Sequence, residues 1–163
     1  MRYCIYTGGV LMCKAVDVAQ HMINYSQQAE VPVDYFMLQK MCYLAQGYSL
    51  ANNDAPLFRE EILAWKCGPA IKEIANAFSM FGDDSIIVEV PDLKPLSDQD
   101  NESISYIVSY CKRNGLKSSD LISATSQQQI FVDAYNGSSR SIIGQHIIKN
   151  YFKLCFDEIF KDR

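Results

Sequence analysis

Three polar side chains at helical spacing have the clearest potential for chemistry in this sequence. Gln39, Tyr43 and Gln46 follow one another at intervals of four and three residues, which places them on one face of a helix. The residues around them at 35–51 are almost all apolar, so this helix is expected in the middle of its domain. Buried amides and hydroxyls must form hydrogen bonds or they lower the stability. These side chains therefore predict an internal hydrogen-bond network, which we favour, or a polar binding site.

A second interpretation adds Lys40 and Thr125 to this set, so that the polar side chains surround the pocket of an enzyme of unknown reaction. It requires that they converge on an open cleft instead of forming hydrogen bonds inside the protein. The sequence contains no GxSxG, HExxH, P-loop or GxGxxG motif. With His21 and His146 as the only histidines, few side chains could act as a general base near neutral pH. We therefore do not predict an enzyme.

Acidic pairs and cysteines also lack the spacing of a functional site. Glu60-Glu61 and Asp83-Asp84 are neighbours in sequence and point in different directions, which is typical of solvated surface. The six cysteines include no CxxC pair and only two histidines accompany them, so neither a structural metal nor a cofactor is predicted. Several cysteines fall in apolar helical patterns, where a free thiol behaves as a small hydrophobe. A reducing cytoplasm is the simplest location for such a protein.

Composition limits the class of protein. The chain has 163 residues, 48% of them hydrophobic and 21% charged, which predicts one globular domain. Its net charge of −4 disfavours nucleic acid as the main ligand, because phosphates are bound by basic surfaces. No apolar run approaches the roughly 20 residues of a membrane-spanning helix. Gly8 and Gly9 interrupt the short apolar stretch at the N-terminus, so a signal peptide is not predicted either.

Helical periodicity dominates the sequence and predicts a mainly α fold. We expect a compact bundle of about six to seven helices around the apolar central helix at 35–51. A β element of at most two or three strands is predicted near 60–65 and 86–90, where β-branched residues alternate or cluster. The other helices are predicted at 15–29, from Pro69 to Gly82, from Ser97 to Gly115, and at 120–125, 128–135 and 144–161.

Two features of these elements suggest contacts with another protein. Trp65, the only tryptophan, precedes Gly68-Pro69, and Pro69 is expected at the first position of a helix, where its missing N–H costs nothing. For Trp65 itself we expect a place in the core, with the indole N–H bonded to a backbone carbonyl. The helix at 144–161 has an apolar arc wider than one packing face needs. It is either sandwiched between other helices or in contact with another chain, for example in a homodimer.

Five stretches of the chain carry motifs that occur together in one known family. They are KAVDVAQHMIN at 14–24, LQKMCYLAQGYSLA at 38–51, LFREEILAWKCGPAIKEI at 57–74, LISATSQQQIFVDA at 121–134 and a closing pattern of Ile142, Ile147 and Tyr151-Phe152. In this order and spacing they resemble the Panacea domain, also known as the SocA-like or phage-associated GepA-like family. The similarity spans about residues 14–155, and the pair AQG and AW-x-x-GP is its most specific part.

The sequence departs from the family pattern at four positions. Met37 stands where the family often has Lys, Ser126 where it has His, Ile130 where it has Pro, and Phe131 where it has Trp. Any chemical role of that histidine would be absent from this protein. If the tryptophan packs its segment against the core, Phe131 can replace it with a modest loss of burial.

The resemblance implies a single domain at 12–163, with residues 1–11 as an N-terminal extension that need not belong to it. It implies an antitoxin-like protein that neutralises a cognate toxin, encoded by the adjacent gene, through direct binding in the cytoplasm, and that can also deliver the toxin to a cytoplasmic protease. An adaptor of phage or effector origin that recruits a host protein is the remaining alternative. The family-motif and candidate partner-binding residues are Gln39, Lys40, Tyr43, Gln46, Gly47, Trp65, Gly68, Pro69, Thr125 and Phe131.

Overall fold

The described residues form eight α-helices, one of which is central, together with short strands. The computed structural model describes residues 5–7, 10–90 and 92–163. None of the helices in this part of the chain has the length and hydropathy of a membrane span. The elements are β1 (Ile5–Thr7), β2 (Val10–Met12), α1 (Ala15–Gln28), α2 (Tyr35–Asn52), β3 (Ile62–Trp65), β4 (Gly68–Ala70), α3 (Lys72–Phe78), a 3-10 helix (Ser79–Phe81), α4 (Asp98–Arg113), α5 (Ser118–Ser126), α6 (Gln129–Ala134), β5 (Ile142–Ile143), α7 (Gln145–Leu154) and α8 (Phe156–Ile159).

Helix α2 is the centre of the protein, as its apolar sequence predicts. Asp34 begins the helix by accepting a hydrogen bond of 2.7 Å from the Met37 N–H, and every residue from Met37 to Leu50 is buried. Helices α1, α4, α5 and α7 all pack against it. A helix surrounded on all sides needs no polar face, and this is why its sequence has almost no amphipathic pattern.

Gly47 allows the closest of these helix contacts. A methyl group at this position would lie 2.3 Å from the Phe152 ring of α7. Phe152 is itself completely buried and also meets the ring of Tyr43 edge-on, with 5.6 Å between the centroids. The glycine of the AQG motif is therefore a packing residue, which lets an aromatic ring lie directly on the backbone of α2.

The small sheet corrects the prediction for Gly68-Pro69. Strands β3 and β4 form an antiparallel hairpin in which Trp65 pairs with Gly68 and Ala64 with Pro69. Pro69 therefore lies in an edge strand and not at the start of a helix, which begins only at Lys72. An edge strand tolerates proline, because one side of the strand has no hydrogen-bonding neighbour. Gly68 completes the two-residue turn with a φ of +99°, a conformation that favours glycine.

The third strand of this sheet is β5, and the strand predicted at 86–90 is wrong. β5 pairs with β3 through Ile62–Ile143 and Leu63–Ile142, whereas residues 86–90 belong to no strand. The Ile86 N–H donates to the Val33 carbonyl at 2.8 Å, and Gln27 Nε2 donates to the carbonyls of Ile86 and Val88. A loop carbonyl and a side-chain amide thus bind the backbone that a neighbouring strand would otherwise pair with.

The C-terminal segment forms two helices where one is predicted. The segment 144–161 contains α7 and α8, which are separated at Cys155. After this break Phe160 enters a cluster of aromatic rings and lies 5.4 Å from both Tyr106 and Tyr110 of α4, measured between ring centroids. The wide apolar arc of this segment is thus explained largely by burial, because α7 packs against α2 and Phe160 packs against α4. Ile147 and Leu154 remain exposed, at 42% and 85%.

The N-terminal residues that the structure describes form a second β element. Strands β1 and β2 pair antiparallel, with Ile5 opposite Met12 and Thr7 opposite Val10. The next residue, Cys13, forms an isolated parallel bridge with Phe58. A domain that begins near residue 12 stays a prediction.

The contact between Gly47 and Phe152 gives a first testable prediction. Gly47→Ala should lower the free energy of unfolding by about 1–3 kcal/mol, because Phe152 has no open space into which it can move. Urea denaturation followed by circular dichroism measures this value. Gly144→Ala is the matched control: Gly144 has an ordinary φ of −63°, and the side chain near its added methyl belongs to the exposed His146. If both variants are equally stable, the close packing is not a constraint.

Candidate functional site

Gln46 uses its whole amide group to hold the segment that leads into β3. The side chain is completely buried. Its Oε1 accepts hydrogen bonds from the N–H groups of Leu57 and Phe58 at 2.8 and 3.2 Å, and its Nε2 donates to the Phe58 carbonyl at 2.7 Å. This side chain therefore binds the backbone of an extended segment whose other contact is the bridge between Phe58 and Cys13.

Gln39 holds the segment that leaves β4 in the same manner. Its Oε1 accepts from the Ile71 N–H at 2.8 Å, and its Nε2 donates to the Ile71 carbonyl at 3.0 Å. Gln39 and Gln46 lie two turns apart on α2, so one helix face fixes both ends of the β3–β4 hairpin. The predicted internal network is thus confirmed for these two residues, since their polar atoms are bonded to backbone.

Tyr43 and Thr125 are also bonded inside the protein. The Tyr43 hydroxyl donates to Gln128 Oε1 at the start of α6, and burial raises the pKa of Tyr43 well above its usual value, with a smaller contribution from Tyr151. The Thr125 hydroxyl donates to the Leu121 carbonyl of its own helix at 2.7 Å. Phe131 is buried and stacks on Tyr135 with 5.5 Å between ring centroids. It fills the core at the position where the family has tryptophan.

Lys40 differs from these residues because it is a buried cation. Only 2% of the residue is exposed, and its Nζ donates to the Pro69 carbonyl at 3.0 Å. Among the described residues, no carboxylate forms an ion pair with it. Loss of hydration lowers the pKa of Lys40 from 10.5 to about 8, and the nearby Cys67 opposes this shift. At neutral pH the side chain therefore remains mostly protonated.

A small cavity lies beside this cation. It has a volume of about 160 Å³, and we call it the Lys40 pocket. Trp65 lies at its edge and is only half-buried, because it is the last residue of β3 before the turn. Its indole N–H donates to the Ser139 carbonyl at 2.9 Å, as predicted, but its expected place in the core is wrong. The residues that line the pocket and matter here are Tyr35, Phe36, Lys40, Trp65, Lys66 and Cys67.

The structure divides the predicted site residues among three places. The first place is the hairpin, where Lys40, Trp65, Gly68 and Pro69 lie together and Thr125 lies beside Gly68. The second is farther along α2, where Gln46 binds the segment before β3 and Gly47 lies against Phe152. The third is α6, which contains Phe131 and begins after Gln128, the hydrogen-bond partner of Tyr43. They do not converge on one open cleft, which argues against the enzyme interpretation. Within the described part of the chain, no three His, Cys, Asp or Glu side chains are grouped as metal ligands.

Five residues that line the pocket were not among the site residues predicted from the sequence: Tyr35, Phe36, Lys66, Cys67 and Ala70. Tyr35 and Phe36 begin α2, and Cys67 lies in the two-residue turn between β3 and β4. The position of Cys67 inside the AW-x-x-GP motif is the signal that could have placed it near Trp65.

Comparison with known proteins places this fold and polar core in a family. The sequence model of the family described as "Antitoxin SocA-like, Panacea domain" matches residues 38–161. The chain belongs to this family. The match begins inside α2 and includes the hairpin, α5 and the C-terminal helices, so it contains the two glutamines that fix the hairpin, Lys40 and Gly47.

One curated relative and the solved structures complete the comparison. The chain is 31% identical over 70 residues to the protein named Antitoxin SocA from Caulobacter vibrioides strain NA1000 / CB15N. This segment covers 43% of the present chain and 37% of the relative, so the chain matches little more than a third of that protein's length. No solved structure matches the chain.

The hydrogen bonds of Gln46 predict a large loss of stability when its amide is removed. Gln46→Leu should lower the free energy of unfolding by about 2–4 kcal/mol, since it removes the buried hydrogen bonds of Gln46 to the N–H groups of Leu57 and Phe58 and to the Phe58 carbonyl. Urea denaturation is again the measurement. The control is Gln127→Leu, an exposed glutamine bonded to a side chain of its own helix, which should change this value by less than about 0.5 kcal/mol. Equal effects would contradict the structural role of Gln46.

The pKa of Lys40 predicts how stability depends on pH. The folded protein releases this proton near pH 8 and the unfolded chain near 10.5, so the unfolded chain holds more protons between these values. Stability of the wild type relative to Lys40→Met should therefore rise as the pH increases from 8 to 10.5, by about 3 kcal/mol. Below pH 8 the difference should be constant. Urea unfolding of both proteins at several pH values measures it, and a difference independent of pH would contradict the burial of this cation.

Proposed function

We propose that this protein is an antitoxin that neutralises a cognate toxin by direct protein–protein binding. Membership of the SocA-like Panacea family is the observation that carries the proposal. The name of the Caulobacter relative agrees with it. We further propose that the toxin is encoded by the adjacent gene and that both proteins act in the cytoplasm.

The organisation of the polar core supports binding over catalysis. The amides of Gln39 and Gln46 and the hydroxyl groups of Tyr43 and Thr125 all have partners inside the protein. Side chains used in this way stabilise a rigid surface, and a rigid surface binds a partner at a low cost in conformational entropy. Inhibition of a toxin requires such a surface with a few anchor residues and needs no reactive group.

Two surfaces are candidates for contacts with other chains. The first is the end of the β3–β4 hairpin around Trp65, and the second is the outer face of α7 with Ile147 and Leu154, which we propose as a homodimer contact. The net charge of −4 would speed association with a basic toxin.

Co-expression tests the proposal directly. Induction of the adjacent gene alone should stop growth, and simultaneous expression of this chain should restore it, with the two proteins purifying together as a complex. Growth arrest that persists despite full expression of the chain would overturn the proposal. The amount of toxin in the rescued cells separates two mechanisms: an unchanged amount supports blocking, whereas disappearance of the toxin supports delivery to a protease.

A further inference from the structure

The ammonium group of Lys40 has the surroundings of an incomplete ion pair. Lysine is almost never fully buried unless a partner balances its charge. Here Nζ has the Pro69 carbonyl at 3.0 Å and, among the described residues, no carboxylate within 4.0 Å. A carbonyl satisfies one of three N–H donors and supplies no countercharge. The side chain therefore has both hydrogen-bonding capacity and charge left for an anion.

The cavity beside Lys40 has the charge and size that an anion requires. Two lysines, Lys40 and Lys66, line the pocket and no aspartate or glutamate does, although the whole chain is acidic with a net charge of −4. Its volume of about 160 Å³ suits a single side chain and is below the 300–1,000 Å³ typical of a site for a whole small molecule.

The walls of the pocket are aromatic and held in place. Tyr35 and Phe36, whose rings lie 5.1 Å apart between centroids, line the pocket together with Trp65. The indole is fixed by its hydrogen bond to Ser139, and the hairpin that carries it is fixed by Gln39 at Ile71. Aromatic walls exclude water from a bound group and thereby strengthen its attraction to a cation. A preformed pocket of this kind is typical of the anchor points of protein interfaces.

We propose that the Lys40 pocket receives one carboxylate side chain of the partner protein, with Lys40 Nζ as its counter-ion and the rings of Tyr35, Phe36 and Trp65 around its aliphatic part. The inference rests on the proposed function, since the partner is the toxin. It specifies where the toxin makes contact and which group it inserts there, namely an aspartate or glutamate that projects from the toxin surface.

Toxin binding by charge-matched variants tests the anchor. Lys40→Met should weaken binding of the adjacent-gene product by at least about 30-fold, because the partner's carboxylate would then be buried without a countercharge. Lys161→Met makes the same change in net charge at an exposed lysine far along the sequence and should alter affinity by less than about 3-fold. Isothermal titration calorimetry measures both, after circular dichroism has established that each variant is folded. If all three proteins bind alike, the proposed function stands and the carboxylate anchor is wrong.

A second measurement needs no toxin and uses Trp65 as its reporter. Because Trp65 is the only tryptophan of the chain, its fluorescence reports on the pocket alone. Benzoate should produce a saturable change in this fluorescence, and benzamide, which has the same shape without the charge, should bind at least about 10-fold more weakly. Lys40→Met should remove this preference. Equal responses to the two probes, or a preference that survives in Lys40→Met, would overturn the inference.

The two experiments together separate failure of the proposed function from failure of the anchor. If the adjacent-gene product does not bind the wild type, the proposed function fails. A preference for benzoate in that case would indicate a free carboxylate as the occupant, which also overturns a toxin side chain in this pocket. A preference for benzoate combined with weakened toxin binding in Lys40→Met supports the proposal.

Discussion

The need to satisfy backbone hydrogen bonds inside a mostly apolar interior governs this structure. Helix α2 is surrounded by other helices, and two extended segments run beside it, one before β3 and one after β4. Gln46 binds the backbone at Leu57 and Phe58, and Gln39 binds the backbone at Ile71. A buried amide has both a donor and an acceptor, so one glutamine can pair with both groups of a peptide backbone. The position of the hairpin, and of everything it carries, depends on these contacts.

This arrangement changes how the motifs of the family are understood. A pattern such as L-Q-K followed by A-Q-G resembles an active-site signature, since polar residues recur at fixed spacing among apolar ones. In this protein the glutamines fix backbone, and Gly47 makes room for the Phe152 ring. Structural requirements of this kind restrict residue type as strictly as catalysis does, because an unpartnered buried polar group or an overpacked core costs several kcal/mol. Lys40 is the exception among these residues, since it is a buried cation that forms a hydrogen bond to the Pro69 carbonyl and, in the part of the chain that the structure describes, no ion pair with a carboxylate.

The same hydrogen bonds fix the end of the hairpin, which we propose as a surface that binds the partner. The amides of Gln39 and Gln46 are already bonded to backbone, and Lys66 and Cys67 are exposed in the turn next to the half-buried Trp65. Binding then requires little reordering of the protein.

Much of the fold follows from local sequence. The apolar periodicity of α1, the cap at Asp34 and the apolar character of 35–51 predict the first two helices within one residue, since helix periodicity and capping are properties of neighbouring residues. The face shared by Gln39 and Gln46 and the internal bonds of these side chains are predicted as well. Local sequence also predicts a strand near 60–65, which the structure has at Ile62–Trp65, although it does not identify the partners of that strand.

Tertiary structure decided the features that depend on distant neighbours. Pro69 fits the start of a helix and an edge strand equally well, and the pairing of Ala64 with it selects the strand. Residues 86–90 have the composition of a strand, but a glutamine side chain and a loop carbonyl occupy their backbone, while Ile142 and Ile143 join the sheet. A sequence shows that Lys40 is basic, but not that it is buried with no carboxylate partner among the described residues. Whether the charge of Lys40 is balanced depends on the residues that surround its ammonium group in the folded protein. These residues come from α2 and the hairpin, which are distant in sequence.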